Sequence, residues 1–226
     1  MSRVIRACID RKLVPNSETT ERLALLKGAC WDPGSTLHVA FMGGDPRIRE
    51  KVELVAQEWT LHANLKLRFG DSPKAQIRIA FQPGGSWSYV GTECLAIPKD
   101  QPTMNLGWLE PDTEDEEYSR VVLHEFGHAL GCIHEHQSPA AGIPWDEKAV
   151  IAYHAGPPNH WDETATRRNL IETYSRKLTV SSEFDPESIM IYPIPKEFTQ
   201  NGFEVGWKRR LSERDKSFIR EMYPED

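Results

Sequence analysis

The sequence predicts an α+β fold with two lobes around a cleft, built as one domain. Up to about residue 134, several segments have the alternating pattern of strands and two have apolar residues at helical spacing. Beyond that point strand patterns are few and prolines are frequent, while 226 residues with 39% hydrophobic content suit a single domain. We therefore expect a leader at 1–28 and one domain at 29–226. Its N-terminal lobe spans about 29–134, and its mostly irregular C-terminal lobe about 135–226.

Five segments of the N-terminal lobe have strand character. Each is short, rich in β-branched or aromatic residues and bounded by turn residues. The segments are 36–42, 65–69, 76–81, 86–91 and 104–108. The segment 86–91 is aromatic and flanked by glycines, which is typical of an edge strand. Such an edge can pair with an extended peptide, or it can be an ordinary edge covered by a loop.

Two helices complete the predicted N-terminal lobe. Asp45 is the expected N-cap of the first, which has Pro46 in its first turn and continues to about Asn64. The second extends from about Glu116 to Gly131. Acidic residues at 110–117 precede it, where negative charge favours a helix N-terminus. A calcium site there is the alternative, although the spacing matches no known calcium loop.

The C-terminal lobe has few regular patterns. Its prolines are Pro139, Pro144, Pro157, Pro158, Pro186, Pro193 and Pro195. Short helices are expected near 146–154 and 161–174. A final helix is expected to begin at Ser212, with Asp215 completing a capping box, and to end near Tyr223.

The stretch from His124 to His134 has the residues of a catalytic zinc site. On a helix, His124 and His128 project from one face and can share a cation, and Glu125 can reach a water bound to that cation. Gly131 permits a positive φ that ends the helix and returns His134 as a third ligand. Three protein ligands leave one zinc position open, as catalytic sites require. Two surface histidines on an amphipathic helix would not explain the added glycine and third histidine.

Charge and hydropathy exclude several classes of partner. A net charge of −7 argues against nucleic acid or an anionic membrane as the main partner, and no segment has the apolar length of a membrane span. Residues 1–15 are charged and have no apolar secretory core. We expect a monomer that is cytoplasmic, exported by another route, or secreted and already trimmed.

The predicted leader contains a cysteine. A Cys8 thiolate at the open zinc position would displace the catalytic water and keep an enzyme latent. The alternative is an incidental buried cysteine. The other cysteines are Cys30, Cys94 and Cys132, too few for a disulfide scaffold, although one bridge or free thiols are both compatible with the pattern. Cys132 is expected in the core.

Three motifs, in this order, resemble the astacin-like branch of the metzincin metalloproteases. They are the W-S-Y-V-G segment at 87–91, the histidine motif followed by Glu135, and the S-I-M-I-Y segment at 188–192, which is similar to the Met-turn of that family. The resemblance extends from about residue 35 to the end of the chain. It implies a metzincin-type zincin with a twisted five-stranded mixed sheet, a Met-turn and a final helix.

The resemblance also implies a zinc metalloendopeptidase that cuts extended peptides or proteins. One zinc ion would be bound by His124, His128 and His134. Glu125 would be the general base, and Tyr192 would help to stabilise the oxyanion. The remaining implied roles belong to the structural Met-turn residue Met190 and to the substrate-aligning residues Trp87, Ser88 and Tyr89.

Some features depart from the astacin pattern. The stretch 136–139 lacks the expected arginine. The Gly44-Asp45 pair is similar to the family's aspartate switch, but its place after the first strand favours a helix cap. Glu135 is a candidate for a supporting role behind the metal ligands. The other histidines are expected to be structural or on the surface: His38, His62, His136, His154 and His160.

Two other functions remain open from the sequence. A catalytically silent zinc-binding or inhibitory module would have the same ligands, but it would not need Glu125. A delivered toxin or effector would have the same chemistry, with 1–28 loading it for export. Lys208, Arg209 and Arg210 are either a solvated basic run or a subsite that favours acidic side chains.

Overall fold

The computed structural model describes residues 8, 28–157, 159–174 and 183–225. Its strands are β1 (Thr36–Phe41), β2 (Lys66–Phe69), β3 (Ile77–Ala80), β4 (Ser86–Ser88) and β5 (Met104–Leu106). Its α-helices are α1 (Pro46–Ala56), α2 (Asp115–Ala129), α3 (Glu147–His154), α4 (Glu163–Thr166) and α5 (Glu213–Met222). The predicted α+β class is confirmed.

The sheet has the order β2-β1-β3-β5-β4. The first four strands in this order are parallel, and β4 is antiparallel to β5 at one edge, with Trp87 opposite Asn105. The buried Asn105 side chain accepts from Gln82 N and donates to the carbonyls of Gln82 and Gly85, which fixes the loop before β4. The predicted mixed sheet and its edge strand are confirmed.

Several predicted elements of the N-terminal lobe are shorter in the structure, including the last strand, which ends at Leu106 instead of residue 108. Helix α1 begins as expected, with the Asp45 side chain accepting from Arg47 N, but it ends at Ala56 and continues as a 3₁₀ turn, Gln57–Leu61. The tighter turn brings the fully buried Trp59 against α2, where its indole N–H donates to Leu123 O at 2.9 Å. Strand β4 stops at Ser88, and a 3₁₀ segment, Gly91–Ala96, follows it.

The C-terminal lobe is mostly irregular, as predicted. Helix α3 confirms the short helix expected near 146–154, and Asp146 is its N-cap. The predicted helix at 161–174 is shorter: α4 passes into a π-helix, Arg167–Ile171, and helical structure then ends. Gln137 Nε2 donates to two carbonyls of this segment, at Arg168 and Glu172. These side-chain contacts compete with regular α-helical hydrogen bonds.

Helix α5 has the predicted capping box. The Ser212 hydroxyl accepts from Asp215 N, and the Asp215 carboxylate accepts from Ser212 N. Burial is concentrated between the sheet, α1 and α2, and a second apolar cluster lies in the C-terminal lobe. Among the described helices, none has the length and apolar character needed to span a membrane.

Candidate metal and active site

Helix α2 positions two of the three candidate ligands and the candidate base. His124, Glu125 and His128 lie on one buried stretch of it. The chain then turns sharply at Gly131, whose φ is +98°, and Cys132 N donates back to the carbonyl of Gly127. This turn returns the buried His134 to the face of α2 that carries the other two histidines.

The three imidazoles converge through their Nε2 atoms. The Nε2 of His134 lies 3.1 Å from that of His124 and 3.2 Å from that of His128. Three nitrogens bound tetrahedrally to zinc at about 2.0–2.1 Å would be about 3.3 Å apart. The arrangement therefore fits a zinc ion.

The opposite nitrogens of two of these rings are held by backbone carbonyls. His124 Nδ1 lies 2.8 Å from Ile189 O, and His128 Nδ1 lies 2.9 Å from Cys132 O. Because a carbonyl only accepts, each Nδ1 carries the proton and each Nε2 has a lone pair for the metal. Burial, and then the neighbouring His128 and His134, lower the pKa of His124, which favours the neutral ring that a metal requires.

Cys8 lies in the same cluster. The ligand atoms of Cys8, His124, His128 and His134 all lie within 4.8 Å of one another, and all four residues are buried. The Cys8 thiol also donates to Glu125 Oε2 at 3.1 Å. Within the described ranges, no second group of this kind is present.

Tyr192 closes the C-terminal side of the site. Its hydroxyl donates to the backbone carbonyl of Cys8. Its ring lies 4.3 Å from the His134 ring and is stacked on His136 at 4.7 Å. His136 is itself buried, with Nε2 3.0 Å from Asn169 O in the π-helix. His136, which we predicted to be structural or on the surface, is buried and packs directly against a candidate catalytic side chain.

The Met-turn packs closely beneath α2. Met190 is buried, and a Cβ at Gly127 would overlap its sulfur. The backbone of Glu135 donates to Met190 O at 3.0 Å, and its carboxylate accepts from Asp185 N at 2.8 Å. Burial raises the pKa of Glu135 to about 7. Glu135 therefore ties the segment after the third histidine to the C-terminal lobe.

The candidate substrate-aligning residues belong to β4 and the residue after it. Trp87 and Ser88 are buried, whereas Tyr89 is partly exposed and packs edge-on against Trp87 at 6.0 Å. Strand β4 lies at the edge of the sheet and contacts α2.

Sequence reasoning missed a second wall of the site. A small cavity beside His124 and Glu125 is also lined by Trp108, Arg120 and Trp207, which the sequence did not reveal, and by Lys208 of the predicted basic run. Arg120 lies over the Trp207 ring at 4.4 Å and forms a two-bond contact with Glu117. Its place one turn before His124 on the same helix face was the signal that could have revealed it.

The other charged segments are distributed rather than clustered. In the acidic stretch, Asp115 pairs with Lys51 and Glu116 pairs with Arg209, so these side chains turn toward different partners. In the basic run, Lys208 pairs with Glu187 at 2.6 Å and borders the cavity. The four cysteines all lie in the described part, and none forms a disulfide there.

Comparison with known proteins supports this site. The model of the astacin peptidase family matches residues 27–224. Among solved structures, one of myroilysin has 48% identity and a TM-score of 0.87, covering 89% of this chain and 98% of that one. A second myroilysin structure has 44% identity and a TM-score of 0.73, covering 99% and 93%.

A more distant structure shares the fold. High choriolytic enzyme 1, a hatching enzyme zinc-protease from the medaka fish Oryzias latipes, has 16% identity and a TM-score of 0.60, covering 87% of this chain and 95% of that one. No curated protein matches. The family match spans the helix, the turn and the Met-turn that together surround the three histidines. The chain therefore belongs to the astacin family of peptidases and is a zinc metalloendopeptidase.

Proposed function

We propose that this chain hydrolyses peptide bonds in extended peptides or proteins, with Glu125 as general base and Tyr192 as a hydrogen-bond donor to the developing oxyanion. His124, His128 and His134 would hold the zinc ion. The observation that carries the proposal is the convergence of three Nε2 atoms with a buried carboxylate on the same helix. Bound zinc supplies Lewis acidity, which makes water more acidic and polarises the scissile carbonyl.

The surroundings of Glu125 suit proton transfer. Its side chain is 1% exposed, and its Oε2 already accepts a hydrogen bond from the Cys8 thiol beside the three histidines. The same oxygen can accept the proton of an attacking water and return it to the leaving amine. Burial keeps bulk water from competing for that proton.

One hydrogen bond of Tyr192 supports its proposed role as a donor to the oxyanion. Its hydroxyl donates to a main-chain carbonyl, that of Cys8, next to the metal ligands. A scissile carbonyl in a substrate is the same chemical group, and its oxygen gains negative charge in the transition state. A hydroxyl already directed at that position would stabilise the charge without reorganisation.

Replacing Glu125 tests the catalytic assignment. Glu125→Gln is isosteric but cannot accept the proton, so turnover should fall by about 10³-fold or more while zinc remains bound. Peptide cleavage measured by mass spectrometry, together with metal analysis, checks both parts. Unimpaired turnover in this variant would exclude Glu125 as the base. A wild type that binds zinc but stays silent after removal of residues 1–28 would favour the zinc-binding module.

We also propose that residues 1–28 are a leader that keeps the domain at 29–226 latent through Cys8. The thiol shares the metal-ligand cluster, and its own backbone carbonyl engages the Tyr192 hydroxyl. A Cys8 thiolate would take the fourth zinc position after passing its proton to Glu125, and the Cys8 carbonyl would keep the Tyr192 hydroxyl engaged. Substrate would then align along β4, through Trp87, Ser88 and Tyr89, after the leader departs.

The proposed inhibition by Cys8, which we call the latch, is tested with the full-length chain. Cys8→Ala should cleave peptides at the rate of the leader-cleaved protein, without proteolytic activation. Cys94→Ala is the matched control, because Cys94 is buried in the N-terminal core away from the site, and it should stay latent. If Cys8→Ala stays as silent as the wild type while the leader-cleaved protein is active, the thiol is not the latch.

A further inference from the structure

The N-terminus of α5 makes more contacts than a helix cap requires. The capping box needs only the exchange between Ser212 and Asp215. The Asp215 carboxylate, which is 8% exposed, accepts two further hydrogen bonds from the Met-turn. One comes from the Ser188 hydroxyl at 2.6 Å, and the other from Ile189 N at 2.8 Å. By contrast, the α3 cap Asp146 accepts from its own first turn.

These contacts fix one peptide group on both sides. The Ser188 hydroxyl, which donates to Asp215, accepts from Met190 N at 3.0 Å. That N–H belongs to the peptide whose carbonyl, Ile189 O, holds His124 Nδ1 at 2.8 Å. Asp215 therefore determines the orientation of the carbonyl that sets the tautomer of a zinc ligand. Successive hydrogen bonds of this kind polarise one another and strengthen the last one.

A second path leads from the same helix end to the third ligand. The Ser212 hydroxyl donates to Asp185 Oδ2 at 2.6 Å, and Asp185 N donates to Glu135 Oε1 at 2.8 Å. Glu135 directly follows His134. Hydrogen bonds thus connect the N-terminus of α5 to His124 through the Met-turn and to the neighbour of His134 through Asp185.

We propose that Asp215 is a positioning residue for zinc, acting through Ser188 and the Ile189–Met190 peptide on His124. The proposal rests on the zinc site of the proposed function. Hydrogen-bonding partners behind metal-bound histidines commonly change metal affinity by 10–100-fold when they are removed. Asp215 does not itself hydrogen-bond to a zinc ligand. Its carboxylate instead accepts hydrogen bonds from Ser188 and Ile189, the two residues directly before Met190.

Two variants separate this role from helix capping. Asp215→Asn replaces one accepting oxygen by a donor, so it cannot keep all three accepted hydrogen bonds, from Ser188 Oγ, Ile189 N and Ser212 N. Ser188→Ala breaks the same relay and leaves the capping box intact. Asp146→Asn is the matched control, because Asp146 caps α3 from within its own first turn.

We expect zinc affinity, measured by competition with a chelator, to fall about 10-fold or more in Asp215→Asn and in Ser188→Ala, and to stay unchanged in Asp146→Asn. The visible spectrum of the cobalt-substituted protein should shift in the first two variants, because it reports ligand orientation. Neither readout requires peptidase activity, so a failure of the proposed hydrolysis remains distinguishable. Wild-type zinc affinity in Ser188→Ala would overturn the proposal, even if Asp215→Asn fails to fold.

Discussion

The two lobes are stabilised in different ways. In the N-terminal lobe, repeated backbone hydrogen bonds join five strands and form α1 and α2. In the C-terminal lobe, single contacts join residues far apart in the sequence, such as the bridge between Trp145 and Thr199 and the bond from Asp146 N to Phe198 O. Regular lobes satisfy their polar groups locally, whereas irregular ones require specific distant partners.

The site uses both kinds of structure. Helix α2 places His124, Glu125 and His128 by its period alone. The C-terminal lobe contributes a carbonyl at Ile189 and a ring at Tyr192, each held by its own side-chain contacts. The helical backbone that presents the first set forms from local hydrogen bonds, while the Ile189 carbonyl and the Tyr192 ring depend on distant residues.

The largest effect is expected at a hydroxyl that links the lobes. The fully buried Tyr223 donates to Leu130 O at 2.6 Å and accepts from Trp31 N at 3.2 Å. Tyr223→Phe leaves both buried groups without this partner, so the free energy of unfolding should fall by about 2–4 kcal/mol. Urea denaturation measures it. A loss below about 0.5 kcal/mol would show that the C-terminal lobe does not depend on such single contacts.

A smaller effect is expected where α2 meets the Met-turn. In Gly127→Ala the new methyl would overlap the Met190 sulfur and approach Trp59, although alanine favours a helix by about 1 kcal/mol. Overpacking costs about 1–3 kcal/mol, so we expect a net loss of about 1 kcal/mol. In the Gly127→Ala/Met190→Ala double variant, the loss should be smaller than the sum of the two single losses. If the two losses measured by thermal unfolding add exactly, the Gly127 methyl does not clash with Met190.

The smallest effect is expected at a local cap of the N-terminal lobe. The hydrogen bond from the Arg47 side chain, followed by that from its backbone, lowers the pKa of Asp45 from 3.8 to about 2. A lowered folded-state pKa stabilises the protein above about pH 4, and this contribution is lost as the pH falls toward 2.

Asp45→Asn keeps a capping oxygen but not the charge. Its urea midpoint should be slightly below that of the wild type at about pH 6, and the difference should vanish near about pH 2. Zinc affinity at neutral pH should not change, since Asp45 caps α1 and pairs with Arg47, and neither residue belongs to the metal-ligand cluster or lines the cavity beside it. A difference in urea midpoint that grows as the pH falls would contradict the stabilising role of the Asp45 charge.

Much of the fold followed from local patterns. The ends of α5 and the start of α1 could be predicted because caps act within one turn of the chain. The early end of α1 and the π-helix at Arg167–Ile171 could not, since they depend on Trp59 and Gln137 meeting partners elsewhere in the fold. Secondary structure that serves a long-range contact has no local pattern.

Local sequence was enough to specify the zinc chemistry of this protein, the edge strand and the helix that presents the histidines. Their spacing follows from the helical period and from a glycine that permits positive φ, both of which are local properties. Packing between distant segments decided which carbonyls fix the histidine tautomers, and that Asp215 reaches the Met-turn. It also placed Cys8, 117 residues from Glu125, against that carboxylate. These contacts arise because packing leaves particular polar groups buried, and each must then find a partner wherever the fold brings one.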